Sequence, residues 1–212
     1  MGRNRDPVHS GLKRVLDIGV AAVVLVVSSP VLATAAAVVR LRLGGPVLYR
    51  QERPGMDGQL FRIVKLRTMT DERGPDGHLL PDADRLTPLG VALRRSSIDE
   101  LPELWNVLRG DMSLVGPRPL LPRYTPYLRG DEALRLSVRP GITGWAQVNG
   151  RNDSPWDVRL AHDVWYVRNW SFRLDLQILL RTVSGVLTSR GVVADAESVL
   201  ANLDDERRGA SA

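Results

Sequence analysis

The 212-residue chain contains no cysteine. That excludes disulfides, cysteine-rich zinc sites and a cysteine nucleophile, and it fits a reducing compartment without establishing one. Histidine is scarce too. His9, His78 and His162 stand apart in the sequence, which argues against a histidine metal site or a histidine-based triad. Neither G-x-x-x-x-G-K-[ST] nor G-x-G-x-x-G occurs, so the common phosphate-cradling loops are missing. There is no internal repeat. Acidic residues are the minority, with 24 Asp and Glu against 29 Lys and Arg, a net charge of +5. A basic balance suggests an anionic partner: nucleic acid, a phosphorylated ligand or an acidic lipid surface.

What the chain does have is an uneven spread of apolar residues. Hydrophobic content is an ordinary 43%, yet Ile18 to Val39 carries no charge, and only Gly19, Ser28, Ser29, Pro30 and Thr34 interrupt its Ala, Val and Leu. At about 1.5 Å per residue this run reaches across a hydrocarbon core of about 30 Å. Three readings compete. The first is a plain spanning helix. The second is a signal peptide, with Arg3, Arg5, Lys13 and Arg14 as its basic start and Ala35-Ala36-Ala37 as its small residues; the length of the run and the basic residues right after it weigh against this. The third is a helix that enters the membrane, breaks at Ser29-Pro30 and leaves on the same side. Lys13 and Arg14 before the run and Arg40 and Arg42 after it are awkward for a crossing under the positive-inside rule. Proline removes a helical hydrogen bond, and a neighbouring serine hydroxyl can satisfy the freed carbonyl. On physics alone the kinked spanning helix and the reentrant helix stand level.

Beyond Arg42 the composition turns polar. Val47–Tyr49 and Leu60–Leu66 read as strands of a hairpin, separated by Pro54-Gly55 and Asp57-Gly58. Asp71 to Asp84 reads as an exposed loop. Short helices are expected over Leu86–Arg95 and Leu101–Leu108, and the prolines at 117, 119, 122, 126 and 140 exclude long helices in the next stretch. Trp156–Leu187 shows helical spacing of apolar residues with arginines between them. Such a helix can lie flat in a membrane interface, or simply pack on its own domain. Asp204 to Ala212 reads as a charged, frayed tail.

The candidate chemistry centres on Asp99-Glu100. Ser97-x-x-Glu100 matches a capping box, which would make the pair structural. Pro102 argues otherwise: it favours a helix beginning near Leu101 and leaves both acids just outside the helix start. Arg94, Arg95 and Arg118 surround them in sequence, and arginine suits bidentate contact with phosphate. Two carboxylates can hold Mg²⁺ together with phosphate oxygens, and a carboxylate can also attack phosphorus. Carboxylates, arginines and a membrane anchor together suggest phosphoryl transfer at a bilayer surface.

Taken in order, the motifs resemble the bacterial sugar transferase family, the small monotopic phosphoglycosyl transferases that start glycan assembly on polyprenol phosphate. The marks are Lys13-Arg14-x-x-Asp17, Ser29-Pro30, Lys65-Leu66-Arg67-Thr68-Met69, Ser97-Ile98-Asp99-Glu100-Leu101-Pro102, the run from Gly110 to Pro119 and the run from Pro140 to Arg151. They extend from about Lys13 to Val192. The resemblance implies an α/β, mostly α fold. Residues 1–43 would form a basic N-terminus and a reentrant membrane helix broken at Ser29-Pro30. Residues 44–192 would form a cytoplasmic catalytic domain with a short β-hairpin and membrane-interface amphipathic helices, and 193–212 a tail. It implies that Asp99 attacks the β-phosphorus of a UDP-sugar and releases UMP, that polyprenol (undecaprenyl) phosphate then takes the sugar phosphate from the aspartate, and that Glu100 holds Mg²⁺. Lys65, Arg94 and Arg118 match phosphate-site positions, and Gln147 and Arg151 lie on the nucleotide side. The implied setting is the bacterial inner membrane, with a lipid bilayer and no nucleic acid as partner and with homodimerisation left open. Its rivals are a membrane-tethered protein that binds nucleic acid or acidic lipid without catalysis, and a secreted protein that sheds its first ~37 residues as a signal peptide.

Overall fold

A computed structural model describes residues 11–150, 154–188 and 202–209. The long apolar run lies within one 33-residue helix, α1 (Gly11–Leu43), with Pro30 inside it. Helical hydrogen bonding resumes on both sides of the proline. Pro30 has no N–H to offer the Val26 carbonyl four residues back, and the Ser29 hydroxyl donates to that same carbonyl at 2.7 Å. Thr34 does likewise for the Pro30 carbonyl at 2.8 Å. A helix of this length reaches about 50 Å. Among the described residues it is the one helix long and apolar enough to cross a membrane by length and composition, which marks the chain for membrane association.

α1 presents one narrow stripe to the rest of the protein and leaves its other faces open. Lys13, Asp17, Ala21, Ala35 and Val39 are buried, whereas Val15, Val23, Val26, Val27 and Leu41 are exposed. Ala21 and Leu25 pack into a cluster with Ile63, Leu104, Met112 and Ile178; Ala35 and Val39 pack against Leu66 and Leu93. Both halves of the helix therefore seat on the same body. At the first half the seat is polar. Lys13 Nζ lies 2.6 Å from Asp175 Oδ2 and 3.6 Å from Asp17 Oδ1, while Ser113 Oγ donates to Asp17 at 2.7 Å.

The body opens with the expected hairpin. β1 (Leu48–Pro54) pairs antiparallel with β2 (Leu60–Leu66), from Leu48↔Leu66 to Pro54↔Leu60. The turn between them holds Asp57 and Gly58 at positive φ, the conformation that Asp-Gly supplies at least cost. A two-stranded hairpin is marginal by itself, and Asn106 takes the place of a third strand: its Oδ1 accepts from Val64 N and its Nδ2 donates to Arg62 O. After the exposed loop and the short α2 (Asp82–Arg85) come α3 (Pro88–Arg95), capped by Thr87, and α4 (Glu103–Arg109), which carries Asn106. β3 (Ser113–Val115) pairs in parallel with β4 (Gly141–Thr143). The proline-punctuated crossover between them is made of two 3-10 segments, Pro122–Tyr127 and Gly130–Leu136, with no α-helix. The pair is pressed together by glycines: a Cβ on Gly141 would sit 2.1 Å from Gly116 N, and one on Gly144 2.2 Å from Gly116 O. α5 (Trp145–Asn149), α6 (Trp156–Asn169), α7 (Phe172–Leu187) and α8 (Leu203–Gly209) follow. The result is a mostly helical α/β arrangement with small sheets.

Three sequence expectations are corrected. Trp156–Leu187 is two helices, because Ser171 caps α7 by accepting from Leu174 N. The expected frayed tail is ordered over α8: Leu203 is buried against Tyr124, Trp156 and Leu160, and the Arg207 guanidinium sits 2.6 Å from both Glu132 and Asp157. The helix expected from Leu101 starts at Glu103, with Pro102 as its cap.

Candidate active site

Asp99 and Glu100 occupy a 3-10 turn, Ile98–Glu100, between α3 and α4. The capping box is not formed. Ser97 makes no side-chain cap bond and has φ 55, a left-handed conformation that a serine adopts only when the surrounding structure holds it there. This reversal turns the two acids toward β2 and the loop that follows β3.

The two carboxylates stand in different surroundings. Glu100 Oε1 accepts from Lys65 Nζ and from Arg118 Nη2, each at 2.6 Å. Burial tends to raise its pKa, but Arg118 and Lys65 outweigh burial and hold the carboxyl well below its ordinary value. Asp99 is 6% exposed and, among the described residues, accepts no hydrogen bond and joins no ion pair. Burial, reinforced by the Glu100 charge, pushes its pKa up, against the pull of Lys65, Arg94 and Arg118. One acid is clamped and acidic; the other is desolvated and unengaged.

A third acid completes the group. Glu103, in the first turn of α4, is 1% exposed. Its Oε1 lies 2.9 Å from Lys65 Nζ, near enough for an ion pair but without hydrogen-bond geometry. Burial raises its pKa and Lys65 opposes the rise. Glu103 does not stand out in the sequence, since an acid in the first turn of a helix is ordinarily explained by the helix dipole. The available signal was its spacing: three and four residues after Glu100 and Asp99, it falls on their face of the chain.

The supporting residues explain why the basic groups converge. Asn106 fixes β2 against α4, which brings Lys65 over both Glu100 and Glu103. Arg94, in the last turn of α3, donates from Nε to Thr68 Oγ1 at 3.2 Å. The Arg118 backbone is gripped from below, where Arg135 Nη2 donates to the Arg118 carbonyl at 2.6 Å while pairing with buried Asp163 at 3.0 Å. Arg53 Nη1 donates to the next carbonyl, Pro119 O, at 3.1 Å.

Of the residues singled out from sequence, Glu100, Lys65 and Arg118 come into direct contact, and the charges of Lys65, Arg94 and Arg118 act on the adjacent Asp99. Gln147 lies in α5, donates to Ile142 O at 2.9 Å and shows no hydrogen bond to the acidic cluster. Arg151 lies outside the described residues. Ser29 and Pro30 lie in α1, away from the described cluster contacts. No group of three or more His, Asp or Glu arranged to hold a metal occurs among the described residues. A cation here would need ligands from a bound substrate as well as from the acids.

Comparison with known proteins gives one consistent answer. Residues 8–189 match the family described as bacterial sugar transferase. The chain is 54% identical over 181 residues to an uncharacterized sugar transferase, EpsL, of Bacillus subtilis, covering 85% of this chain and 90% of that one. It is 46% identical over 187 residues to the UDP-glucose:undecaprenyl-phosphate glucose-1-phosphate transferase of Caulobacter vibrioides, covering 84% and 70%. It is 38% identical over 198 residues to the undecaprenyl-phosphate galactose phosphotransferase of Salmonella typhimurium, covering 85% of this chain and 41% of that longer protein.

Proposed function

The chain belongs to the bacterial sugar transferase family, a family of phosphoglycosyl transferases, and on that premise we propose that it moves a sugar 1-phosphate from a UDP-sugar to polyprenol phosphate through a covalent aspartate intermediate. The observation that carries the reading is the contrast between Asp99, buried and without a partner, and Glu100, held by Lys65 and Arg118. A desolvated carboxylate with raised proton affinity is the better nucleophile of the two. An Asp99 oxygen attacks the β-phosphorus, and the bond from that phosphorus to the bridging oxygen breaks as UMP leaves. An oxygen of polyprenol phosphate then attacks the same phosphorus and frees the aspartate. Lys65, Arg94 and Arg118 offset charge on the diphosphate and the leaving group.

The donor set suits Mg²⁺, a hard cation that takes one or two carboxylates and fills its remaining positions with phosphate oxygens and water. Glu100 would hold it, and bound Mg²⁺ would offset phosphate charge. The need is physical: Lys65, Arg94 and Arg118 are matched in number by Asp99, Glu100 and Glu103, so a diphosphate brings more negative charge than these three cations offset. The relatives named for glucose and galactose transfer differ in their sugar, so the test is a panel of UDP-sugars with polyprenol phosphate, reading UMP release. At least one sugar should release UMP, chelation should stop the reaction, and Glu100→Gln should raise the Mg²⁺ concentration needed. Release that is indifferent to chelation would remove the metal from the proposal.

We further infer that α1 is reentrant, with both ends on the cytoplasmic face of the inner membrane. Basic residues at both ends, both halves seated on one body, and a serine hydroxyl covering the carbonyl that Pro30 frees all support this. The exposed stripe of Phe172, Leu176, Leu180 and Val183 on α7 suits the same interface. Single cysteines replacing Arg5 and Arg42 should both react only with reagent on the cytoplasmic side. Labelling of Arg5→Cys from outside would establish a crossing instead.

A further inference from the structure

Arg53 lies in β1 and was singled out by none of the motifs. Along an antiparallel pair, alternate residues and direct cross-strand partners share a face. Tyr49 pairs with Lys65 and Arg53 pairs with Phe61, so Arg53 and Lys65 project from the same face of the hairpin, about 13 Å apart along the strand at ~3.3 Å per residue. Glu100 pairs with both Lys65 and Arg118, and Arg118 is in turn near enough to act on the Arg53 charge. The basic groups thus form a track: Lys65, then Arg118, then Arg53.

Arg53 is unusual among these cations. It is partly buried, and its guanidinium meets only neutral acceptors, Pro119 O through Nη1 and Gln51 Oε1 through Nη2. Its Nε is buried with no hydrogen-bond partner, and it joins no ion pair among the described residues. Lys65 and Arg118, by contrast, each hold a carboxylate. Burial and the neighbouring Arg118 charge both make the Arg53 cation harder to maintain. A desolvated guanidinium beside another guanidinium is costly unless an anion joins them, and the planar fork of arginine matches the oxygens of a phosphate.

We propose that Arg53 is a further phosphate-binding residue of the transfer site, contacting a phosphate group of one of the two substrates beside Arg118. The inference rests on the transfer reading above and adds a residue to it. The phosphate has two sources, the nucleotide donor or the lipid acceptor, and the experiment separates them.

The full chain in detergent is titrated with UDP, with inorganic phosphate and with a short polyprenyl phosphate, following heat. Steady-state UMP release is measured in parallel with each substrate varied in turn. Arg53→Gln should weaken either UDP or the polyprenyl phosphate about ten- to hundredfold, the span of one lost charge-assisted contact. The KM of the matching substrate should rise while kcat changes by less than about threefold. Arg53→Lys, which restores charge without the fork, should recover part of the loss and also guards against a folding defect in the glutamine variant. The weakening should persist in an Arg118→Gln background. Unchanged binding of all three ligands overturns the inference. So does an effect that vanishes once Arg118 is removed, because Arg53 would then act only by holding the Pro119 carbonyl. If no UDP-sugar is turned over while Arg53→Gln still loses phosphate binding, the transfer reading fails and this one stands; intact turnover with unaltered binding gives the reverse.

Discussion

Asp99→Asn should lower UMP release from the preferred UDP-sugar by a factor on the order of 10⁴ or more, the scale seen when a covalent nucleophile is removed. The expectation follows from what surrounds the residue. Asp99 donates nothing to the architecture: its carboxylate holds no backbone group and no cation among the described residues. Asparagine therefore fits in its place with little structural cost, and loss of rate reports chemistry. Intact-mass analysis gives the direct check. Incubated with donor alone, the wild-type chain should gain the mass of one sugar phosphate and Asp99→Asn should gain none. The pH dependence carries a second signature. The reacting form is the carboxylate, and its pKa is raised by burial and by Glu100. Activity should accordingly fall on the acid side at a pH above that of an ordinary aspartate. Near-wild-type turnover by Asp99→Asn would end the covalent mechanism, and Glu103 would become the next acid to examine.

The second large effect concerns the seat of α1. Lys13→Met should destabilise the fold by about 3–5 kcal/mol, because it leaves Asp17 and Asp175 buried without the cation between them. Asp175 is tied in further by Tyr166 Oη at 2.7 Å and Trp170 Nε1 at 3.1 Å, so the disturbance spreads from α1 into α6 and α7. Thermal or denaturant unfolding in detergent measures it. Adding Asp175→Leu to Lys13→Met should recover part of the loss, since a buried ion pair replaced on both sides costs less than one broken on one side. A single-variant cost below about 1 kcal/mol would mean that the polar seat is ornamental and the apolar stripe alone holds the helix.

Much of this was legible in the chain. The Asp57-Gly58 turn and the flanking apolar residues marked the hairpin, the helix expected over Leu86–Arg95 is α3 within two residues, and Pro102 correctly moved Asp99 and Glu100 out of α4. These are local signals, decided within a few residues. What stayed hidden depended on distant partners. α8 looked like a solvated charged tail because Arg207 reveals nothing of Glu132 or Asp157, which lie 75 and 50 residues away. The different surroundings of Asp99 and Glu100 were hidden for the same reason, and only the family resemblance set the two acids apart. Adjacent acids are equivalent in a sequence, and they become different only when Lys65 and Arg118 both settle on Glu100. Asn106 and Arg135 likewise read as an ordinary helical polar residue and an ordinary surface charge, yet one secures the strand beneath Lys65 and the other the loop beneath Arg118.

The stripe by which α1 seats on the body has a kinetic consequence. On the reentrant placement proposed above, a helix bound along both halves to its own domain would give that domain little freedom to lift or tilt, and the acidic turn would be carried at one height relative to the lipid headgroups. An acceptor whose phosphate rides in the headgroup layer moves in that same plane. Enzyme and acceptor would then search for each other over an area, and the quantity that sets their encounter would be the number of acceptor molecules per unit of bilayer, whatever the volume of solution around it.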